Sequence, residues 1–333
     1  MIFVPLPLFA TLCLGLVLFQ ILRTAEMSVR ANQLFSVLVA LYALQSLLLS
    51  LRWGYGWDET AIWIALLAPV LPIVAYFAYL SLSDRLTPKL LWPLAILFVN
   101  WIALIASPNI ADPLILCTFL GFGIAILRHA LLGQEALALV QIGKIDGTMR
   151  AMMFTGAALV CSAFIDMFVI IDFVRTGGAN VSLTITLAQT GFLLMIGLAA
   201  LFGQSGASAD EGPEGPFPTP DVTEEDGAIV SRLTQLFEVT ALHKDTTLNL
   251  RRMARRLGLP DRSVSRAINK TQNMSVSQFV NGFRIKDAAQ MLRQSDQTIL
   301  QVSLSSGFMT KSNFNREFVR VMGKTPSQWR QSK

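Results

Sequence analysis

Before residue 204 the chain repeats one pattern seven times: an apolar run of roughly twenty residues, then a short polar break. The runs fall at about 2–22, 34–51, 60–82, 90–107, 111–128, 151–174 and 181–203. A helix rises about 1.5 Å per residue, so ~20 apolar residues match the ~30 Å hydrocarbon thickness of a bilayer. Hydrophobic residues make up 53% of the chain and charged ones 15%, against roughly 25% charged in soluble proteins. Part of the chain must therefore sit outside water, and the runs say which part. The expected fold class is all-α, a polytopic membrane helix bundle of about seven spans followed by a second helical domain. Pro69, Pro72 and Pro93 lie inside runs, where membrane helices tolerate them. The first run has no basic leader and no convincing cleavage site, so it is expected to be retained as a helix. Trp53, Trp57, Trp63 and Trp92 fit interface anchors.

Charge in the breaks sets an expected orientation. With the N-terminus outside, the inner breaks hold Arg23, Arg30, Arg85, Lys89, Arg128, Lys144 and Arg150, and the outer ones only Arg52 and Arg175. That bias follows the positive-inside rule. Seven spans then place everything after residue 203 in the cytoplasm. The break after the fifth run, which ends at Arg128-His129, is the longest.

Little in these runs suggests chemistry. None contains a lysine for a retinal-type Schiff base; Lys89 and Lys144 lie in breaks. Cys13, Cys117 and Cys161 sit in separate apolar stretches and read as packing residues, and His129 and His243 are far apart in sequence. No paired acids, nucleophile triad or phosphate loop is evident, so no enzyme activity, cofactor or metal is expected. Among the polar residues within the runs, Gln45, Ser46, Asn100, Asp166, Thr184, Thr186, Gln189 and Thr190 are placed at mid-membrane or in its outer half. Asp166 is the costliest, at ~2.5–3.5 kcal/mol for a charge at the centre of a span. One reading makes Asp166, Thr184, Thr186, Gln189 and Thr190 a sensing pocket for a small ligand or proton. The simpler reading has them hydrogen-bond helices together. Asp172, near the outer interface, is expected to reach water.

The remainder divides into two parts by charge. Residues 204–228 carry seven acidic and no basic side chains and are rich in Gly, Pro and Ser, the composition of a flexible acidic linker. Residues 229–333 carry eighteen basic and six acidic ones, a balance of 18 − 6 = +12 that suggests a nucleic-acid partner. Here the period turns helical: Ile229, Leu233, Leu236, Phe237 and Val239 form an expected apolar stripe. In NLRRMARRLGLPDRSVSRAINK, Asn249 can cap a short helix, Gly258 supplies a turn and Pro260 fits the start of a second helix. In ILQVSLSSGFMTKSNFNREFVRVMGKTP the pattern recurs about Gly307. Between the two, Ser275 caps a long helix carrying Phe279, Phe283, Ala288 and Leu292, which would hold the two pairs apart. A short helix, a glycine turn and a basic helix make a helix-turn-helix, whose second member enters the major groove.

Residues from about 230 to 331 resemble the DNA-binding domain of AraC/XylS-type transcription regulators. The carriers are Arg284, Ala288 and Leu292 on the connecting helix, Gly307-Phe308, Ser312 with Phe314, Arg316-Glu317-Phe318, Gly323-Lys324-Thr325-Pro326 and Trp329-Arg330. Pro260 in a place often held by a capping serine, and Ser303-Leu304-Ser305 in place of a more alanine-rich helix, depart mildly from the pattern. The resemblance implies two reading helices in successive major-groove faces of double-stranded DNA, promoter activation, RNA polymerase as a partner and a homodimer as a possible assembly. It implies exposed contacts from Arg262, Ser263, Ser265 and Arg266 on the first reading helix, and from Lys311, Ser312, Asn313, Asn315 and Arg316 on the second. Arg can bind guanine O6 and N7 together and Asn adenine N6 and N7. For Arg266 and Arg316, phosphate contact or an internal ion pair stays an equal alternative. Arg251, Arg252, Arg255 and Arg256 read as a solvated or phosphate-facing stripe. The expected whole is a membrane-bound regulator of the bacterial cytoplasmic membrane. Its lipid-embedded half would be either a sensor or an anchor that binds another membrane protein.

Overall fold

The computed structural model describes residues 5–24, 30–83, 92–131, 137–181, 183–185, 187–188, 191 and 222–332. It is helical, with no strand among the described residues. The chain forms two compact units, one made of Met1–Leu131 with Arg150–Gln204 and the other of Leu132–Met149 with Ser205–Lys333.

In the first unit, α1 (Leu6–Thr24) packs on α2 (Arg30–Leu49), which runs on as a π-helical turn over Ser50–Gly54. Next come α3 (Thr60–Leu67) and α4 (Val70–Leu80), the latter against α2. The two divide at Ala68-Pro69 because neither Pro69 nor Pro72 has an N–H to continue the ladder. Then follow α5 (Trp92–Ala106), α6 (Pro108–Ala130) and α7 (Ile145–Thr176), with α6 against both α4 and α5. Among the described residues five segments are long and apolar enough to cross a membrane: Leu6–Arg23, Ala31–Gly54, Thr60–Leu80, Ile110–Ala130 and Ile142–Thr176. The helix Trp92–Ala106 is apolar but shorter, at 15 residues. The seventh run, 181–203, lies mostly outside the described residues, so the count of seven stands as an expectation.

The polar residues of this unit join its helices. Ser46 Oγ donates to the Pro7 carbonyl at 2.8 Å and Gln45 Nε2 to the Ile64 carbonyl at 3.5 Å. Asn100, only 1% exposed, donates from Nδ2 to Thr118 Oγ1 at 3.0 Å, and Trp101 Nε1 donates to the Leu66 carbonyl at 3.0 Å. At the α6–α7 crossing a Cβ on Gly123 would come within 3.1 Å of the Gly156 carbonyl oxygen, so the glycines let two backbones meet. Asp172 corrects the expectation that it reaches water. It is buried, and it accepts from Asn180 N, Asn180 Nδ2 and Thr176 Oγ1, each at 2.9 Å, closing the turn that ends α7.

Among its described residues the second unit contains seven further α-helices. The first, α8 (Glu224–Thr240), begins inside the stretch read as linker. Thr223 caps it: its Oγ1 accepts from Asp226 N, while Thr223 N donates to Asp226 Oδ2. Three acids in that first turn also suit the positive end of the helix dipole. The buried face is Ile229, Val230, Leu233 and Phe237. Val239 departs from the expected stripe and is exposed, because a 3.6-residue period carries it to the far side of the helix.

After α8 come α9 (Leu250–Leu257), α10 (Asp261–Gln272), α11 (Val276–Gln294), α12 (Ile299–Ser305), α13 (Lys311–Met322) and α14 (Pro326–Gln331). The axis is α11. Its Ile285, Ala288, Ala289 and Leu292 make one core with Val302, Phe308, Phe314 and Phe318. Nearer its start, Phe279 and Phe283 pack their rings on Phe237 of α8. A helix buried on opposite faces holds one helix pair at each end, which fixes their spacing.

Candidate nucleic-acid interface

The first helix pair is α9 and α10. Asn249 caps α9, its side chain accepting from Arg252 N at 2.9 Å, and Gly258 ends it in the left-handed region at φ 69°. Pro260 stands at the N-cap of α10, one place before the expected first helical position, and makes no side-chain cap bond. On α10, Val264, Ala267 and Ile268 are buried while Arg262 and Arg266 are exposed and Ser263 is half-buried. Ser265 is a correction: at 1% exposed it lies in the buried arc between Val264 and Ile268 and presents nothing to a groove.

The second pair is α12 and α13. Thr298 caps α12 and Thr310 caps α13, the latter accepting from Asn313 N at 3.3 Å. Between them Gly307 has φ 91°. On α13, Phe314 and Phe318 are in the core; Lys311, Ser312 and Arg316 are exposed, and Asn313 and Asn315 half-buried. Glu317 is buried, and Arg320 holds it through Nη2 at 2.7 Å and Nε at 3.0 Å while also donating to the Gln278 carbonyl. This clamp orients α13 on α11. Lys311 and Asn315 face an open groove that also has Arg330 on its wall.

Arg284 is the hidden organiser of the domain. At 1% exposed, it donates from Nε to the His243 carbonyl at 2.6 Å and from Nη2 to the Asp245 carbonyl at 3.0 Å. Burial pulls its guanidinium down to about 10, with Asp245 opposing that pull, so it stays charged at neutral pH. Nearby, Asp287 accepts from His243 Nε2 and Lys244 Nζ, each at 2.9 Å. Burial would raise the Asp287 carboxyl, yet the bonds from Lys244 and His243 outweigh it and hold the group below the usual carboxylate range.

The arginine stripe divides. Arg251 pairs with Asp261 at 3.1 Å and Arg252 with Asp245 at 2.8 Å, whereas Arg255 and Arg256 are exposed. Arg316 is also engaged: Nη2 donates to Asp146 Oδ2 at 2.7 Å and to Asn313 Oδ1 at 3.1 Å. Asp146 stands in the first turn of α7, at the end of a stretch that reads in the sequence only as a break.

Residues 253–332 match a family model described as "Helix-turn-helix domain". The C-terminal domain is a helix-turn-helix domain. It is 32% identical over 97 residues to the HTH-type transcriptional regulator CdhR of Pseudomonas aeruginosa, covering 29% of each chain. The Msm operon regulatory protein of Streptococcus mutans is 24% identical over 167 residues, which cover 50% of this chain and 54% of that one. An uncharacterized HTH-type transcriptional regulator of Staphylococcus aureus is 26% identical over 99 residues, 30% of this chain and 13% of its own length. The chain thus spans about half or less of the length of these relatives. Among solved structures, the C-terminal domain of AraT, a response regulator from Geobacillus stearothermophilus, aligns with 34% of this chain and 89% of its own, at 20% identity and TM-score 0.28.

Of the expected sensing residues, Asp166 is half-buried on α7, and Thr184 turns its hydroxyl back to the Asn180 carbonyl at 2.9 Å. Thr186, Gln189 and Thr190 lie outside the described residues, so the pocket remains a reading of the sequence.

Proposed function

We propose that the chain is a membrane-bound transcription regulator of AraC/XylS type, in which the C-terminal domain reads DNA and the apolar unit holds it at the bilayer. The observation that carries this is the pairing of two helix-turn-helix units across one buried helix, α11, in a segment with a balance of +12. Exposed Arg262, Arg266, Lys311 and Ser312, with half-buried Ser263, Asn313 and Asn315, supply donors for base edges and phosphates. Arg316 joins them when its carboxylate partner is displaced. RNA polymerase is the natural second partner of such a domain, and a homodimer would double its half-sites.

The membrane part rests on the five long apolar helices and on what they turn outward. Leu16 is 70% exposed, Ile110 62% and Phe164 58%, a surface that suits lipid better than water. A second reading, in which this unit is an anchor or a surface for another membrane protein, draws on the hydrogen bonds of Gln45, Ser46 and Asn100. Those side chains are used up between helices. The sensor reading retains Asp166. Asp166→Asn separates them: altered induction at normal protein level supports sensing, and an unchanged response supports anchoring.

Mapping chain-bound DNA across the genome, beside reporter fusions after Gly203 and at Gly177, tests the whole reading. Discrete promoter-proximal sites, a cytoplasmic Gly203 fusion and an external Gly177 fusion are expected. A periplasmic signal from Gly203 would contradict it.

A further inference from the structure

The connection between α6 and α7 is an unusual surface segment. Leu137, Ala138, Val140, Ile142 and Ile145 are all buried, with Leu137 at 1% and Ile142 at 2% exposure. A break between two apolar helices has no need of such side chains if it only turns the chain in water. These residues cluster with the helix-turn-helix domain, and the short 3-10 turn Ile142–Lys144 packs on α11.

The docking is specific at the backbone. Ile142 N donates to the Leu248 carbonyl at 3.0 Å, Arg251 N to the Ala138 carbonyl at 3.2 Å, and Asn249 Nδ2 to the Leu139 carbonyl at 3.3 Å. The Arg251 amide is in the first turn of α9, where N–H groups have no partner within the helix and face water or an anion. Here the Ala138 carbonyl takes it. The same segment reaches the second helix pair: Gly143 lies beside Met309, since a Cβ on it would meet Met309 Sδ at 3.7 Å, and Asp146 holds Arg316 at 2.7 Å.

We infer that residues 137–146 are an internal ligand of the DNA-binding domain, docked on Leu248–Arg251, α11 and Arg316, and that DNA displaces them. The inference rests on the DNA-binding reading above. Its chemistry is that of a phosphate substitute: a carboxylate on a guanidinium and a carbonyl on a helix-terminal amide. Bidentate recognition of a guanine needs two adjacent N–H groups of Arg316, and Nη2 is already shared between Asp146 and Asn313. Asp146 and a base therefore compete for one donor. The segment is continuous with α6 and α7, so it links those helices to the reading surface without passing through residues 204–221. A docked connection can be pulled away from the surface it covers.

The test uses the full chain in detergent or native membranes. Gly143→Cys with Met309→Cys reports docking by disulfide formation, and a pool of random-sequence duplex DNA at low salt is the competitor. Cross-linking in the absence of DNA, suppressed as duplex is added, is expected. Asp146→Asn should tighten duplex binding about two- to fivefold, the yield of freeing one exposed ion pair. No cross-link without DNA overturns the docking. A cross-link that DNA leaves unchanged, with Asp146→Asn binding like the parent, overturns the competition. If the cross-link forms but neither protein binds any duplex, docking stands and the DNA-binding reading fails.

Discussion

Gly307 lies so close to Lys244 that a Cβ on it would sit 2.5 Å from the Lys244 carbonyl oxygen. The turn of the second helix pair thus rests on the backbone that follows α8, and its φ of 91° is one that side chains avoid. Gly258, in the first pair, has φ 69° but open space around it. The two glycines should separate strain from collision. Gly258→Ala is expected to destabilise by about 1–2 kcal/mol, the left-handed penalty alone. Gly307→Ala should exceed that and loosen α13, because backbone cannot step aside. Limited proteolysis of the full chain, read at cleavage between residues 299 and 322, checks the order.

Arg284 carries a second prediction. Its removal strands the His243 and Asp245 carbonyls, each a buried or half-buried acceptor that lost bonds penalise by roughly 1–3 kcal/mol. Arg284→Leu should therefore destabilise the C-terminal domain by about 2–4 kcal/mol. Arg284→Lys should recover only part of this, since an ammonium cannot span both carbonyls with a planar fork. Protease susceptibility in the full chain ranks the three forms, and equal resistance would contradict the assigned role.

The third concerns acid. Asp287 has its carboxyl held below the ordinary value of about 3.9, so its stabilising effect is present above that value and is lost as pH falls through the lower folded one. Asp245 shifts the same way: burial opposes, and bonds from Thr247 and Arg252 prevail. Asp287→Asn should lower stability at neutral pH and flatten the acid limb of the stability profile below about pH 4. A profile parallel to the parent's would contradict the pairing with His243 and Lys244.

Much of the C-terminal domain was legible because its signals are local. Asn249, Ser275 and Gly258 mark helix ends through bonds or backbone angles made within a few residues, and Phe314 and Phe318 follow a helical period. Ser265, whose exposure the resemblance implies, is buried because the inward arc of this short helix runs without a gap from Val264 to Ser265 and on to Ala267 and Ile268. The linker boundary slipped because acids at 224–226 share the composition of a flexible spacer, while their role is to begin α8 under the Thr223 cap. Asp146 was invisible for another reason. Its partner Arg316 is 170 residues away, and no local signal in the sequence marks so distant a pair.

The central claim is that two reading helices, held apart by α11, recognise a specific duplex. Footprinting of the full chain on a site recovered from genome mapping, repeated across salt concentrations, tests it most directly. The account predicts protection of two successive major-groove segments about one helical turn apart on one face, with affinity falling steeply as salt rises. Arg266→Ala and Arg316→Ala should each relax preference at particular base pairs by about 1–3 kcal/mol, on different segments. Protection that ignores sequence, or substitutions that weaken all sequences equally, would contradict it.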